Sequence, residues 1–304
     1  MVRNQISMVL RKPSVRIKFL LVTLLFIPWL MEQVDILVPF ADSYGREGEV
    51  TVFVMLLHVF NYLYFYVEVL LVGYILLIPD IVRDEYTEKQ SVLVSGSRKK
   101  AAVTALGRIV FFSLLYVMWF VFLTVVISGV RIHNFSLEWP HFVDIVTKQV
   151  SPESRFYMSL FMLPKGCTGY PVPAALALVL LRSTLGFIFL GMLASLVTLV
   201  TKKVKYGVGI TVFLLAVTLF LYYHFIGAYL EYYDASRPLT EVLVKVDLIK
   251  ATLVPFFSFR SIGDDFTYWI RYGILAGLGL SILAGLGIWI YYQKGDLGNA
   301  DQDE

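Results

Sequence analysis

Long apolar stretches alternate with short polar ones along this 304-residue chain. Several apolar stretches have about 20 residues or more, the length that a helix needs to cross the hydrocarbon of a bilayer. Apolar residues are continuous in them and do not alternate with polar ones, which favours helices over the strands of a barrel. The pattern predicts six membrane-spanning helices, at residues 17–31, 50–79, 101–130, 173–200, 206–230 and 267–292.

The first predicted span ends where Glu32 and Asp35 interrupt the apolar run. No small-residue cleavage site follows it, so we predict a retained helix and not a signal peptide. Residues 1–292 are expected to form a single transmembrane domain. The remaining segment, 293–304, is acidic and rich in glycine and aspartate, which predicts a disordered tail.

Composition supports a polytopic all-α membrane protein. The chain is 58% hydrophobic and only 16% charged, whereas soluble domains have about 25% charged residues. Its formal net charge of +3 is attributed to topology and to contact with membrane lipid, so no nucleic-acid partner is predicted. The single cysteine, Cys167, excludes an intrachain disulfide and a metal site built from several cysteines.

Lysine and arginine set the expected orientation. They are denser in segments 1–18, 80–108 and 201–205 than in segments 32–49, 131–172 and 231–266. Because basic residues concentrate in cytoplasmic loops, both termini are predicted to be cytoplasmic, in a bacterial-type plasma membrane. Segments 131–172 and 231–266 are then outer loops.

A polar island, "DEYTEKQSVLVSGSRKK", lies between the second and third predicted spans. The acids Asp80, Asp84 and Glu85 come first and the bases at 98–100 come last, which suits the dipole of a helix. Val92 and Leu93 add a small apolar patch. The pattern predicts a short cytoplasmic helix, residues 81–97, whose surface docks another protein.

The island and the N-terminus resemble the permease subunits of the ABC type 2 exporter family. The positions that match the family pattern are Glu85, Thr87, Leu93, Ser97, Arg98 and Lys99, with Arg108 near the start of the next span. Tyr86 and Ser95 depart from it, because the family usually has glycine and proline there. The segment "RNQISMVLRKPSVRIKFLL" is similar to the interfacial elbow helix of the same family, here residues 3–14.

This resemblance implies a mechanism and partners. Segment 81–97 would be the coupling helix, with Asp84, Glu85, Thr87, Leu93, Ser97 and Arg98 facing a cytoplasmic ABC ATPase. The chain has no phosphate-binding loop, so ATP and Mg²⁺ are expected on that separate subunit and no cofactor on this chain. A second permease copy, or a related permease, would complete a dimer that moves a substrate outward.

Polar residues elsewhere leave alternatives open. His58, Asn61 and Glu68 share one helical face and would either line a substrate route or hold helices together by hydrogen bonds. His133, Glu138, His141 and Asp144 match no established metal-site spacing, so no metal is predicted. We predict no catalytic residue and hence no enzyme. The alternatives are an immunity or sensor protein that binds a peptide with its outer loops, and an intramembrane enzyme.

Overall fold

The structure, a computed structural model, describes residues 11–44, 48–61, 66–82, 96–143, 167–217, 220 and 266–294. Helices dominate this part of the chain and no strand occurs in it, which confirms the predicted all-α class for these residues. In chain order its elements are α1 (Pro13–Tyr44), α2 (Val52–Asn61), a π-helix (Tyr66–Leu71), α3 (Val72–Val82), α4 (Arg98–Ile132), a 3₁₀ turn (Cys167–Gly169), α5 (Val172–Thr201), α6 (Val204–Val217) and α7 (Phe266–Lys294).

Four of the described helices are long and apolar enough to cross a membrane, as expected of a membrane protein. They are Pro13–Ser43, Arg98–Ile132, Val172–Thr201 and Arg271–Lys294, and they correspond to the first, third, fourth and sixth predicted spans. The second predicted span is divided into α2, the π-helix and α3. Of the fifth predicted span, the structure describes mainly the first part, α6. The second and fifth membrane crossings therefore stay predictions.

Helix α1 is longer than the sequence predicted. We expected Glu32 and Asp35 to end the first span, but the helix continues to Tyr44. Both acids are exposed, and Asp35 accepts a hydrogen bond of 2.9 Å from Arg131. Because neither carboxylate has to be buried, these charges interrupt the apolar run without ending the helix.

In the described part of the chain, the most extensive contact between two helices is that of α5 with α7. Small residues of α7 permit the approach. A Cβ atom on Gly273 would lie 2.6 Å from Cδ of Arg182, and one on Gly287 would lie 2.9 Å from Leu196. Arg182 therefore lies between two spanning helices, deep in the bundle.

Helix α7 runs antiparallel to α4 and parallel to α5, and this arrangement brings most described basic residues to one end of the bundle. Arg98 at the start of α4 contacts Gln293 at the end of α7, and Lys202 after α5 contacts Tyr291. We call this the basic end, and its members are Arg11, Lys12, Arg16, Lys18, Arg98, Lys99, Lys100, Lys202, Lys203, Lys205 and Lys294. Described acids of the opposite end are Glu32, Asp35, Asp42, Glu49 and Glu138. That the basic end faces the cytoplasm stays a prediction.

Helix α6 lies directly on α5 because Gly207 has no side chain. A Cβ atom there would overlap Oγ1 of Thr198 and the carbonyl oxygen of Ala194, whereas Gly209 has open space at the same point. We expect Gly207→Ala to lower the free energy of unfolding by about 2 kcal/mol through overpacking. Gly209→Ala is the matched control, with a change under about 1 kcal/mol. Thermal unfolding in detergent measures both, and equal effects would contradict the close packing.

Candidate functional site

The polar island, predicted to couple this protein to a partner, is described only at its two ends. Four of the predicted coupling residues lie within 83–95, outside the described part of the chain: Asp84, Glu85, Thr87 and Leu93. Ile81 and Val82 are the last residues of α3, and Arg98 is the first residue of α4. The geometry of the site is therefore that of the two helix ends between which the island runs.

The end of α3 is held by Asp80. This residue is 6% exposed, and its carboxylate accepts hydrogen bonds from Nζ of Lys18 at 2.5 Å and from Oγ of Ser14 at 2.8 Å. Both donors lie in the first turns of α1. From the sequence we placed Asp80 among the acids of the island, but the structure places it inside α3, in a bonded cluster that we call the Asp80 junction (Ser14, Lys18 and Asp80).

The start of α4 is held in a different way. Gly96 has a φ of 73°, a left-handed conformation that favours glycine. Ser97 follows as the N-cap, and its Oγ accepts a hydrogen bond of 3.2 Å from the backbone nitrogen of Lys100. Nη1 of Arg98 then donates to the carbonyl oxygen of Gln293, at 3.2 Å. The beginning of α4 is thus joined to the end of α7.

The two ends of the island are consequently attached to helices other than their own. A displacement of residues 83–95 would act on α1 through the Asp80 junction and on α7 through Arg98. Both are membrane-spanning helices by length and composition. The arrangement suits the transmission of a movement from the basic end into the bundle.

Two buried tyrosines, Tyr74 of α3 and Tyr116 of α4, pack together with Phe187 of α5 and connect these three helices. The hydroxyl of Tyr74 lies 2.7 Å from Oγ of Ser113, and the hydroxyl of Tyr116 donates to the carbonyl oxygen of Leu70 at 2.8 Å. Leu70 belongs to the π-helix, a wider turn that often occurs at functional positions in a helix. The ring of Phe187 packs against both tyrosine rings, at 4.8 and 5.3 Å.

Two glycines make room for these tyrosines. A Cβ atom on Gly73 would lie 2.5 Å from the Tyr116 hydroxyl, and one on Gly191 would lie 2.8 Å from the Tyr74 hydroxyl. Our sequence reasoning missed this cluster. The available signal was a pair of tyrosines and glycines in the middle of apolar spans, away from the interfaces where tyrosine is usually enriched.

Removing the Tyr116 hydroxyl tests the link to the π-helix. We expect Tyr116→Phe to lower the free energy of unfolding by about 1–3 kcal/mol, because the buried Leu70 carbonyl loses a donor. Tyr206→Phe, at a residue 49% exposed, is the matched control and should change it by less than about 0.5 kcal/mol. Thermal unfolding of the purified proteins measures the difference, and equal stability of the two variants would contradict this role.

Of the three residues predicted to line a substrate route, the structure describes the side chain of one, His58. His58 is 3% exposed, and its Nε2 lies 3.1 Å from Oε1 of Gln33 on α1. Asn61 and Glu68 lie in α2 and the π-helix, but their side chains are outside what the structure describes. The contact of His58 is the hydrogen bond between helices that we weighed as an alternative. A substrate route along this face stays a prediction.

The described part of the loop that follows α4, which we predicted to be outside, packs on the start of α2 and on the two residues 48–49 that precede it. The backbone nitrogen of Val52 donates to the carbonyl oxygen of Asn134 at 2.9 Å, and Nε1 of Trp139 donates to the carbonyl oxygen of Tyr170 at 2.7 Å. Cys167 is buried beside them. No group of three or more His, Cys, Asp or Glu residues suited to a metal occurs in the part of the chain described. His133, Glu138 and His141 belong to that part, whereas Asp144 lies outside it.

The functional assignment therefore rests on the chain's own residues: the ends of the polar island, the Asp80 junction and the tyrosine cluster. Comparison with known proteins adds nothing to them. No protein-family model, curated protein or solved structure matches this chain.

Proposed function

We propose that this chain is the permease subunit of an ATP-driven exporter of the ABC type. A separate cytoplasmic ATPase binds ATP and Mg²⁺, docks on segment 81–97 and drives the outward movement of a substrate by alternating access. The chain pairs with a second copy or a related permease. Six spans, an elbow helix at residues 3–14 and cytoplasmic termini in a bacterial-type plasma membrane belong to the same proposal.

The observation that carries the proposal is the attachment of both ends of the island to other helices. The Asp80 junction ties the end of α3 to α1, and Arg98 ties the start of α4 to α7. An isolated solvated loop needs no such contacts. In a segment that receives a push from an ATPase, these contacts would pass the push to α1 and α7 as well as to α3 and α4, which continue the segment on either side.

Buried polar groups in the spans also support a transport role. Arg182 is 1% exposed and His58 is 3% exposed, although charged and polar side chains at membrane depth are costly. Such residues usually face a bundle interior or a water-filled route. We assign the water-filled route to the transport function, beside the hydrogen bond that His58 makes with Gln33.

Purification of the tagged full-length chain from its native membrane tests the proposal. We expect an ATPase that contains a phosphate-binding loop to co-purify in mild detergent, and the complex to hydrolyse ATP. The proposal would be contradicted if the chain purifies without an ATPase in several mild detergents while circular dichroism shows that it remains folded. That result would favour the peptide-binding immunity or sensor protein.

A further inference from the structure

The turn between α5 and α6 presents three lysines on a fixed backbone. Lys202 ends α5 with a left-handed φ of 58°, and the backbone nitrogen of Tyr206 donates to the carbonyl oxygen of Lys203 at 3.1 Å. The contact of Gly207 with α5 holds the start of α6 in place. We call Lys202, Lys203 and Lys205 the lysine turn, and all three are exposed.

Aromatic rings accompany two of these lysines. Nζ of Lys202 contacts the Tyr291 hydroxyl and lies 4.8 Å from the centre of that ring, and Nζ of Lys205 lies 5.4 Å from the centre of the Tyr206 ring. Paired lysine and tyrosine side chains are typical of the membrane–water interface. Among the residues that the structure describes at the basic end, Asp80 is the one acidic residue, and it is paired with Lys18. The lysine turn therefore presents concentrated positive charge.

An exposed apolar stripe begins directly beside the lysine turn. It follows one face of α6 at helical spacing and consists of Tyr206, Gly209, Val212, Phe213 and Ala216. Val212 is 49% exposed and Phe213 is 60% exposed. No atom lies within 4 Å of the position that a Cβ on Gly209 would occupy. The surface of the stripe is thus open over Gly209, about one turn beyond Lys205.

We propose that the lysine turn and this stripe bind an anionic phospholipid of the inner leaflet. The headgroup phosphate contacts the lysines, and an acyl chain lies along the stripe over Gly209. From Lys205 to Ala216 the helix rises about 16 Å, which is close to half of the roughly 30 Å hydrocarbon core. The inference requires the basic end to face the cytoplasm, but it does not depend on the ATPase.

Competition between two lipids tests the charge of the site. The full-length protein is placed in nanodiscs with equal amounts of phosphatidylglycerol and phosphatidylcholine, re-extracted, and assayed for bound lipid by native mass spectrometry. We expect phosphatidylglycerol to be retained at least about tenfold over phosphatidylcholine, since each lysine near an anionic surface contributes roughly fivefold. Millimolar inorganic phosphate should not displace it, because phosphate lacks acyl chains. Displacement, or equal retention of the two lipids, would overturn the proposal.

Matched variants separate this site from the general charge of the basic end. Lys202→Gln/Lys203→Gln/Lys205→Gln should bring retention close to parity. Lys99→Gln/Lys100→Gln/Lys294→Gln, which removes the same charge from other exposed lysines, should retain phosphatidylglycerol as the unmodified protein does. Equal loss in both triple variants would show general attraction only and would overturn the site.

A neutral substitution tests the apolar half independently. Gly209→Leu places a branched side chain in the open space where the acyl chain is proposed to lie, and it leaves every lysine in place. We expect it to lower retention of long-chain phosphatidylglycerol at least about threefold, a fraction of the burial free energy of an apolar side chain. This variant also decides the question if the lysine variant does not fold. Unchanged retention in Gly209→Leu would contradict the proposal.

Discussion

Asp80→Lys is expected to lower the free energy of unfolding by about 3 kcal/mol, because it breaks a part-buried ion pair and leaves Lys18 facing a like charge. The Asp80 side chain is 8% exposed, and its carboxylate lies 2.5 Å from Nζ of Lys18. The substitution also removes the acceptor of Ser14. Thermal and denaturant unfolding in detergent would show the loss, together with a lower amount of protein in the membrane.

The exchange Lys18→Asp/Asp80→Lys should restore a large part of this stability, because it re-forms the pair with reversed polarity. Asp35→Lys is the matched control, since it breaks the exposed pair with Arg131 and should change stability by about 1 kcal/mol or less. If the double exchange is no more stable than Asp80→Lys alone, then the junction does not hold α3 to α1 as described.

Reversing both Glu85 and Arg98 is expected to abolish coupling to the ATPase. Glu85→Lys/Arg98→Glu places like charges in an interface and leaves their partners unpaired, which weakens binding by more than about tenfold. Glu85 lies outside the four apolar helices, and Arg98 is the exposed first residue of α4, so the protein should still reach the membrane at its usual level. The measurement is the amount of ATPase that co-purifies per chain, together with the ATP hydrolysis rate of the complex.

Two controls accompany the reversal. Glu138→Lys changes an exposed acid of the opposite end and should leave ATPase binding unchanged. His58→Ala removes a buried contact with Gln33 and should preserve ATPase binding, while altering turnover if this face is a substrate route. If the double variant binds the ATPase as well as the unmodified protein does, then the island is only a solvated loop and not the docking surface.

The spanning helices could be predicted from the sequence because apolar length is a local property. The predicted span at 101–130 lies within α4, Arg98–Ile132, and the predicted span at 173–200 lies within α5. The extent of α1 could not be predicted in this way. Whether a charge ends a helix or only ends its apolar part depends on where the membrane and the neighbouring Arg131 lie.

The contacts around the island could not be predicted, because their partners are distant in the sequence. Lys18 and Asp80 are separated by 62 residues, and Arg98 and Gln293 by 195. The face shared by His58 and Glu68 was derived for a continuous α-helix. The π-helix at Tyr66–Leu71 has a wider turn, so that angular rule does not extend through Glu68.

The central claim is that segment 81–97 docks on a cytoplasmic ATPase, and a cross-link from Thr87 tests it most directly. A photo-activated amino acid is placed at Thr87 in the full-length protein, and native membranes are irradiated. A second sample carries it at Ser136, an exposed residue of the opposite end. We predict a covalent adduct with an ATPase from Thr87 and none from Ser136. No ATPase adduct from Thr87, or equal adducts from both positions, would contradict the claim.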